Sequence, residues 1–490
     1  MKGDLERGDM PAAEFAAAGH QLVDWIARYL EHGDDYPVMS QVSPGAVRGA
    51  FPAAPPVEGA PWTSIWSEFE QSVLPGVTHW NHPGFFAYFA ITGSGPGILA
   101  EFLTAALNVN GMLWRTSPAV TELEQVVLDW LRQMMGLGDA AGWFGIITDT
   151  ASISSLLALA AARESRPELH IRDRGLAGRG DEVPVMRVYA SEQAHSSIDK
   201  AAITLGFGAD NVVHIPVDAD YRMRPEALAR AIADDRARGY LPLAAVATVG
   251  TTGTSSVDPV PAIADICERE GVWLHVDGAY GGVAAIVPEH RYLLAGVDRA
   301  DSLVVNPHKW LFTPIDCSAF LTRHPDVLRR AFSLVPEYLV TAVDSDVVNY
   351  MDYGVQLGRR FRALKLWAVM RAFGVSGLID RIRAHCAMAR EMASWIDATP
   401  GWERVAPVPL SLVCFRYAPP EVAASDLDAL NLELLARINA SGRAYLSHNK
   451  LGGRVVLRMA IGNLRTERRH VAETWALLRT IAAELHAVMG

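Results

Sequence analysis

Lys309 stands in Asn306-Pro307-His308-Lys309-Trp310, directly after the apolar run Ser302-Leu303-Val304-Val305. A permanent ammonium between apolar runs is costly to bury. A second isolated polar group, Asp277, stands upstream in Val272-Trp273-Leu274-His275-Val276-Asp277-Gly278-Ala279-Tyr280. A lysine that loses its charge to form an imine, and a carboxylate at the end of a nearby strand, are what an aldehyde cofactor with a basic ring nitrogen needs. The residues point to pyridoxal 5'-phosphate. On that reading Lys309 forms the Schiff base, and Asp277 holds the pyridine nitrogen protonated, which makes the ring an electron sink. Ala279 points to the same side as Asp277 and is small enough to lie against the ring. His195, in Gln193-Ala194-His195-Ser196-Ser197, is placed to stack on the other face and orient a substrate carboxylate. The phosphate needs backbone N–H groups and hydroxyls at a helix N-terminus. Thr150-Ala151-Ser152 offers them, and Thr251 in Val249-Gly250-Thr251-Thr252-Gly253 adds a hydroxyl beside a flexible glycine.

These residues need a frame. Strand-like runs rich in Val and Ile recur at 145–147, 185–189, 212–215, 243–249, 272–276 and 303–305, separated by alanine-rich helical stretches such as 154–164 and 225–237. Short, nearly all-apolar strands alternating with helices predict a mainly parallel sheet covered on both faces. Ligands bind such sheets outside the strands' carboxyl ends, where Asp277, Lys309 and Thr251 all fall. Ser117-Pro118 predicts a helix cap with proline in the first turn. Residues 1–90 read as a helical arm that packs on a partner subunit: Phe15, Ala18, Leu22, Trp25, Ile26 and Tyr29 share a helix face, and a proline-rich connector follows. Residues 91–370 form the large α/β domain, and 371–490 a small C-terminal α+β domain.

Half of the 490 residues are hydrophobic and a fifth are charged, as in a globular protein, and the net charge of −11 argues against nucleic acid or an anionic membrane as partner. Cys267, Cys317, Cys386 and Cys414 match no zinc spacing. The polar N-terminus lacks the apolar core of a secretory signal, and no apolar run reaches the ~18 residues of a membrane span, so a cytoplasmic protein is expected. His79-Trp80-Asn81-His82 has no carboxylate or Cys nearby to complete a metal site, and no metal is expected. Gly93-Ser94-Gly95-Pro96-Gly97 lacks the leading glycine of a nucleophile elbow.

With these residues in view, the chain resembles the pyridoxal-phosphate-dependent group II decarboxylases, in the aromatic-L-amino-acid decarboxylase branch. The likeness runs through Pro75-Gly76-Val77-Thr78-His79-Trp80, 82–89, Ser117-Pro118-Ala119 with Thr121-Glu122-Leu123-Glu124, the string at His195, 249–252, 275–280, 306–310, 357–365 and Val456-Leu457-Arg458. It implies a fold-type-I homodimer with a mainly parallel seven-stranded sheet and active sites at the subunit interface. It implies the Schiff-base role for Lys309, the pyridinium role for Asp277 and the stacking role for His195. Thr150, Ala151, Ser152, Thr251, Asn306 and His308 then surround the phosphate or hold the cofactor's neighbourhood. Segment 333–353 resembles the family's mobile catalytic loop, which reaches into the partner's site. The resemblance gives its tyrosine position to Tyr350, the residue that protonates the carbanion after CO2 leaves; relatives with phenylalanine there tend to make an aldehyde.

Two departures stand out. Asp149 occupies a place usually held by glycine beside the phosphate, and Arg115 a place usually held by a small residue. The resemblance builds the side-chain pocket from Tyr88, Phe89, Ile91, Asn110, Met112 and Gly358. Ile91 replaces a residue that is often hydroxylated, Met112 one that is often phenylalanine, and Gly358 matches indole-using plant relatives. Tryptophan or phenylalanine is therefore expected to be preferred over tyrosine or DOPA. The competing readings are decarboxylation of an acidic or basic amino acid with Arg115 receiving the side chain, aldehyde synthesis, and a cofactor-binding homologue without catalysis.

Overall fold

Strands with no polar alternation must be covered on both faces, and these are. In the computed structural model, which describes residues 9–139, 142–334 and 347–489, seven such runs form one sheet. They are β1 (Phe144–Thr148), β2 (Met186–Ser191), β3 (Val212–Ile215), β4 (Leu241–Thr248), β5 (Trp273–Asp277), β6 (Ser302–Val305) and β7 (Ser318–Thr322). Their order is β1-β7-β6-β5-β4-β2-β3. Only β7 runs antiparallel to its neighbours, β1 and β6; the other pairs are parallel. The expected fold class holds.

Because side chains alternate across a strand, neighbouring residues enter different cores. Ile147, Ala245, Ala247, Val276 and Val305 join one apolar cluster. Ile146, Ala244, Val246, Trp273 and Phe320 join the other. Two of the helices that matter to the site start where a helix entry was expected, at Ser117 and Thr150, though neither side chain makes a capping hydrogen bond. Helix α1 (Gly95–Leu107) begins after Ser94 with a proline in its first turn. Helix α2 (Pro118–Met134) begins after Ser117, and α3 (Ala151–Glu164) after Thr150. Helix α4 (Arg362–Asp397) changes direction at Gly374, whose φ of +61° suits glycine. The glycine-rich string before α1 is thus a helix entry; a Cβ on Gly97 would stand 2.3 Å from Pro314 Cδ.

A second sheet of β8 (Trp402–Arg404), β9 (Leu412–Tyr417), β10 (Ser447–Leu451) and β11 (Arg454–Ala460) is antiparallel throughout, in the order β10-β11-β9-β8. The chain divides into two compact units that differ from a split at 90 and 370. One is Phe86–Asn431 with Ser447–Leu464, and the other Met1–Phe85 with Leu432–Leu446 and Arg465–Gly490. Residue 370 falls inside α4, which carries the chain unbroken from the large sheet toward the small one.

In the second unit, helix Ala12–Glu31 has no buried residue. Trp25 stacks on Tyr29 at 5.2 Å and meets Trp66 edge-on at 5.5 Å. The Tyr29 hydroxyl pairs with His79 Nδ1 at 2.9 Å, and His82 Nδ1 accepts the Gly84 N–H at 2.8 Å. Both histidines of the His79-Trp80-Asn81-His82 string are engaged within this unit. Among the described residues no helix is long and apolar enough to cross a membrane.

Candidate active site

The sheet delivers its polar residues at the strands' carboxyl ends. Asp277 is the last residue of β5, paired with Thr248 of β4 on one side and Val304 of β6 on the other. It is buried, and its Oδ1 accepts the Ala279 N–H at 3.0 Å. One strand over, β6 ends at Val305 and the chain turns through Asn306 into a single helical turn, Pro307–Trp310. Lys309 thereby enters from the neighbouring strand end. Burial pushes its ammonium below the usual lysine range, and the nearby Asp277 opposes that shift. Lys309 Nζ lies 5.5 Å from the centre of the Phe89 ring. His195 sits in the same electrostatic group; burial lowers its pKa, Asp277 raises it and Lys309 lowers it. Its Nδ1 accepts the Ser197 N–H at 3.1 Å, so the neutral ring carries its proton on Nε2.

Further groups complete this end of the sheet. Asn306 is 2% exposed, yet among the described residues its Oδ1 has no hydrogen-bond partner. A buried acceptor left unpaired calls for a donor that the protein does not provide. His308 Nδ1 accepts the Cys317 N–H at 3.0 Å, and burial takes its pKa down to about 3, so it is a neutral N–H donor. Thr251 is buried, with its hydroxyl shared with Thr254 at 3.0 Å and accepting the Ser256 N–H. Ala279 is buried beside Asp277. At the start of α3, Asp149 Oδ1 accepts the Thr150 N–H at 2.6 Å and lies 3.3 Å from the Thr150 hydroxyl. The unusual carboxylate thus turns onto Thr150, and the first-turn N–H groups of Ala151 and Ser152 remain, since such groups have no partner inside a helix.

Pyridoxal phosphate fits this set. A lysine of depressed basicity, a carboxylate one strand away, an unpaired buried acceptor and a helix N-terminus are the complementary parts of an aldehyde, a ring nitrogen, a phenol and a phosphate.

The pocket residues divide. Tyr88 has a left-handed backbone, φ +55°, and its N–H reaches Ser447 Oγ at 3.4 Å. Phe89 stacks on Tyr280 at 3.6 Å, and Tyr280 on Trp310 at 4.6 Å. Trp310 Nε1 then donates to His385 Nδ1. Phe89 is therefore the end of an aromatic ladder anchored in the core, beside Lys309; Ile91 follows it. Asn110 and Met112 pack elsewhere. The Asn110 carbonyl accepts from Ser117 Oγ at 2.8 Å, and Met112 lies with Leu113 and Met351. A Cβ on Gly358 would meet Asn110 Nδ2 at 3.7 Å, an ordinary contact.

Tyr350 is not with the Lys309 group. It is fully buried among Ile146, Leu157 and Phe320, with its ring 4.6 Å beneath Arg359 and 6.1 Å from Phe144. Burial raises its pKa well above the usual value. A side chain packed into its own core cannot reach into a second subunit. Most of the segment read as the catalytic loop, residues 335–346, lies outside the described residues.

Sequence reading gave no role to Arg458, a buried arginine in the apolar strand β11. Its guanidinium stands 5.8 Å from the Phe89 ring centre and donates to Gly253 O, Thr252 O and Ser447 Oγ. A charge inside Val455-Val456-Leu457-Arg458-Met459-Ala460 was the available signal.

The family comparison agrees with this site. Residues 44–418 match the pyridoxal-dependent decarboxylase conserved domain. The chain belongs to that family, in its aromatic-L-amino-acid decarboxylase branch, and is a pyridoxal-phosphate-dependent carboxy-lyase. It is 39% identical over 486 residues to tryptophan decarboxylase 2 of Oryza sativa subsp. japonica, covering 97% of this chain and 96% of that one. It is 38% identical over 481 residues to a phenylacetaldehyde synthase of a Rosa hybrid cultivar, covering 95% and 93%. Among solved structures, Oryza sativa TDC with PLP and tryptamine superposes with a TM-score of 0.93 at 38% identity, covering 98% of this chain and 99% of that one.

Proposed function

We propose that this enzyme converts L-tryptophan or L-phenylalanine to the amine and CO2, in preference to tyrosine or DOPA, as a cytoplasmic homodimer. The observation that carries the substrate reading is the Phe89–Tyr280–Trp310 ladder beside Lys309, followed by Ile91. An aromatic face backed by the core stacks on an aromatic side chain. An isoleucine offers no partner to a ring hydroxyl, whose unpaired burial costs about 1–3 kcal/mol. The names of the rice and rose relatives support aromatic substrates. Specificity constants for tryptophan, phenylalanine, tyrosine and DOPA test it, with amine identified by mass spectrometry. A DOPA value about tenfold above the others, equivalent to ~1.4 kcal/mol in its favour, would end the reading.

Bound pyridoxal phosphate supplies an aldehyde that condenses with the substrate amine and a cationic ring that takes up the electron pair released with CO2. The chain's residues set the rest. Lys309 holds the aldehyde until substrate arrives. Asp277 keeps the ring nitrogen protonated, and His195 and Ala279 bound the ring's two faces. Ala151 and Ser152 offer N–H groups to the phosphate, with Thr150, Thr251, Asn306 and His308 around them. Arg458 has five N–H donors, of which three are engaged, leaving two for the substrate carboxylate.

The homodimer rests on two features. Phe89, with Tyr88 and Ile91 close to it in sequence, stands beside Lys309, whereas Asn110, Met112 and Gly358 face another neighbourhood, so a second copy would join the two halves. Around the latter half α1 exposes Leu99 at 59%, Leu103 at 56% and Leu107 at 58%, with Leu357 at 51% nearby in sequence to Gly358. An apolar row of this kind marks an interaction surface. Sedimentation velocity at micromolar protein should give a dimer; a monomer that is fully active would refute shared sites.

Proton delivery passes to another tyrosine of segment 333–353. Tyr350 is core, and Tyr353 packs on Phe144 at 4.6 Å. Tyr338, in Val335-Pro336-Glu337-Tyr338, is the remaining tyrosine there and lies outside the described residues. Tyr338→Phe is expected to divert product from amine toward aldehyde, with dioxygen consumed and ammonia and peroxide released. Tyr350→Phe is expected to keep the amine and lower the melting temperature. The opposite assignment of products would restore Tyr350 as the donor.

A further inference from the structure

Among the described residues the outer edge of β1 has no neighbouring strand, because β1 ends the sheet. Its exposed backbone groups therefore need other partners. At Ile147 two side chains provide them. Glu124 Oε1, from α2, accepts the Ile147 N–H at 2.7 Å, and Arg359 Nη2 donates to the Ile147 carbonyl at 2.8 Å. The same Arg359 nitrogen lies 2.6 Å from Glu124 Oε1, with the two side chains 5% and 1% exposed. A buried ion pair and one residue's peptide groups thus form a closed ring of contacts.

Arg359 also works through its backbone. Its N–H donates to Asn110 Oδ1 at 2.9 Å, and its carbonyl accepts the Gly111 N–H at 2.9 Å. Gly358 precedes it in sequence, and Tyr350 lies beneath its guanidinium. Two residues beyond Ile147 the chain reaches Asp149 and the start of α3. One residue therefore fastens the Asn110–Gly111 turn, Gly358 and the strand that leads to the phosphate end of the site.

The strength of the ion pair itself does not explain this arrangement. Replacing a buried ion pair by apolar residues is often neutral or stabilising, whereas removing one partner leaves an uncompensated charge. Both contacts come from the one nitrogen Nη2; a lysine would keep the charge but not the flat guanidinium that lies over the Tyr350 ring. We infer that Arg359 and Glu124 are positioning residues, a buried couple that sets the distance between the side-chain pocket and the phosphate-binding start of α3. Both halves rest on the proposed reading, the pocket half on Asn110 and Gly358 and the phosphate half on Ala151 and Ser152.

The test uses Arg359→Lys and the charge-free pair Glu124→Leu/Arg359→Met, prepared as holoenzyme, stripped of cofactor and titrated back. The double variant leaves no lone charge but takes both partners from the Ile147 peptide groups, so it is expected to stay folded by circular dichroism and to melt below the wild-type temperature. Its dissociation constant for pyridoxal phosphate, read by visible absorbance, is expected to rise about tenfold or more, the scale of effect of a small misplacement. KM for the preferred aromatic amino acid is expected to rise similarly with kcat changed much less, and Arg359→Lys is expected to fall between. Unchanged cofactor affinity in both variants overturns the inference. A wild-type enzyme inactive on aromatic amino acids would defeat the substrate reading and leave the cofactor comparison standing.

Discussion

Lys309→Ala is expected to yield no tryptamine or phenethylamine above background, a loss of about 10⁴-fold or more, as when a covalent catalyst is removed. The geometry gives the reason. Lys309 reaches the site from the turn after β6, is pushed down by burial and keeps Asp277 as its nearby charge. Among the described residues no other lysine shares that setting: Lys365 is buried against Glu101 at 2.5 Å. The variant is also expected to lose the visible absorbance of covalently held cofactor while retaining its secondary structure by circular dichroism. Lys309→Met separates chemistry from folding. Below 10.5 an unfolded lysine is protonated, and the folded residue gives up its proton at a lower pH. Between that depressed value and 10.5 the unfolded chain binds more protons, so in cofactor-free protein stability rises with pH across this window. Lys309→Met should remove that slope and leave the melting temperature unchanged or raised. A Lys309→Ala enzyme keeping about a tenth of the wild-type rate would exclude the lysine from the reaction.

What could be read from the chain depended on how local the signal was. Six strands of the large sheet were legible because each is a short apolar run; β7, bounded by Ser318 and Thr322, was not. The helix starts at Ser117 and Thr150 were legible from Pro118 and the hydroxyl residues, although neither side chain caps its helix. Asp277 and Lys309 were legible as polar residues at the ends of such runs. Pairing across long sequence distances was not. Nothing local says that Glu124 meets Arg359, or that Phe89, Tyr280 and Trp310 stack into one ladder. The association of Leu432–Leu446 and Arg465–Gly490 with the N-terminal residues is likewise long-range. Tyr350 shows the cost of assigning a role by register alone. Its sequence neighbourhood resembles a loop, yet an arginine above it and Phe144 beside it make the position core. Arg458 is the converse case, a charge in an apolar strand that the sequence displayed and that needed Phe89 and Tyr88 beside it to acquire meaning.

The second large effect is expected at Asp277. Asp277→Asn keeps the shape of the side chain and can keep the bond from the Ala279 N–H, which Oδ1 accepts. What it loses is the negative charge proposed to hold a proton on the ring nitrogen. Strand β5 is flanked on both sides at this residue, by Thr248 and Val304, so the backbone cannot shift to bring another carboxylate there. The neighbouring histidine on the same strand face, His275, gives no help. It is fully buried, its Nδ1 pairs with Ser302 Oγ at 2.9 Å, and burial lowers its pKa to about 4, so it is neutral where the enzyme works. The pocket proposed for the substrate side chain is built from other residues, Tyr88, Phe89 and Ile91. Asp277→Asn is therefore expected to lower kcat by about 10²–10⁴-fold, the range for losing a positioned proton, with KM changed only about threefold. Steady-state kinetics with saturating cofactor reads both numbers. If KM rose and kcat held, Asp277 would be binding substrate or cofactor uniformly rather than supporting the electron sink. If both held within about threefold, the ring nitrogen would need no charge partner, and the depressed basicity of Lys309 would be left as the site's main electrostatic contribution.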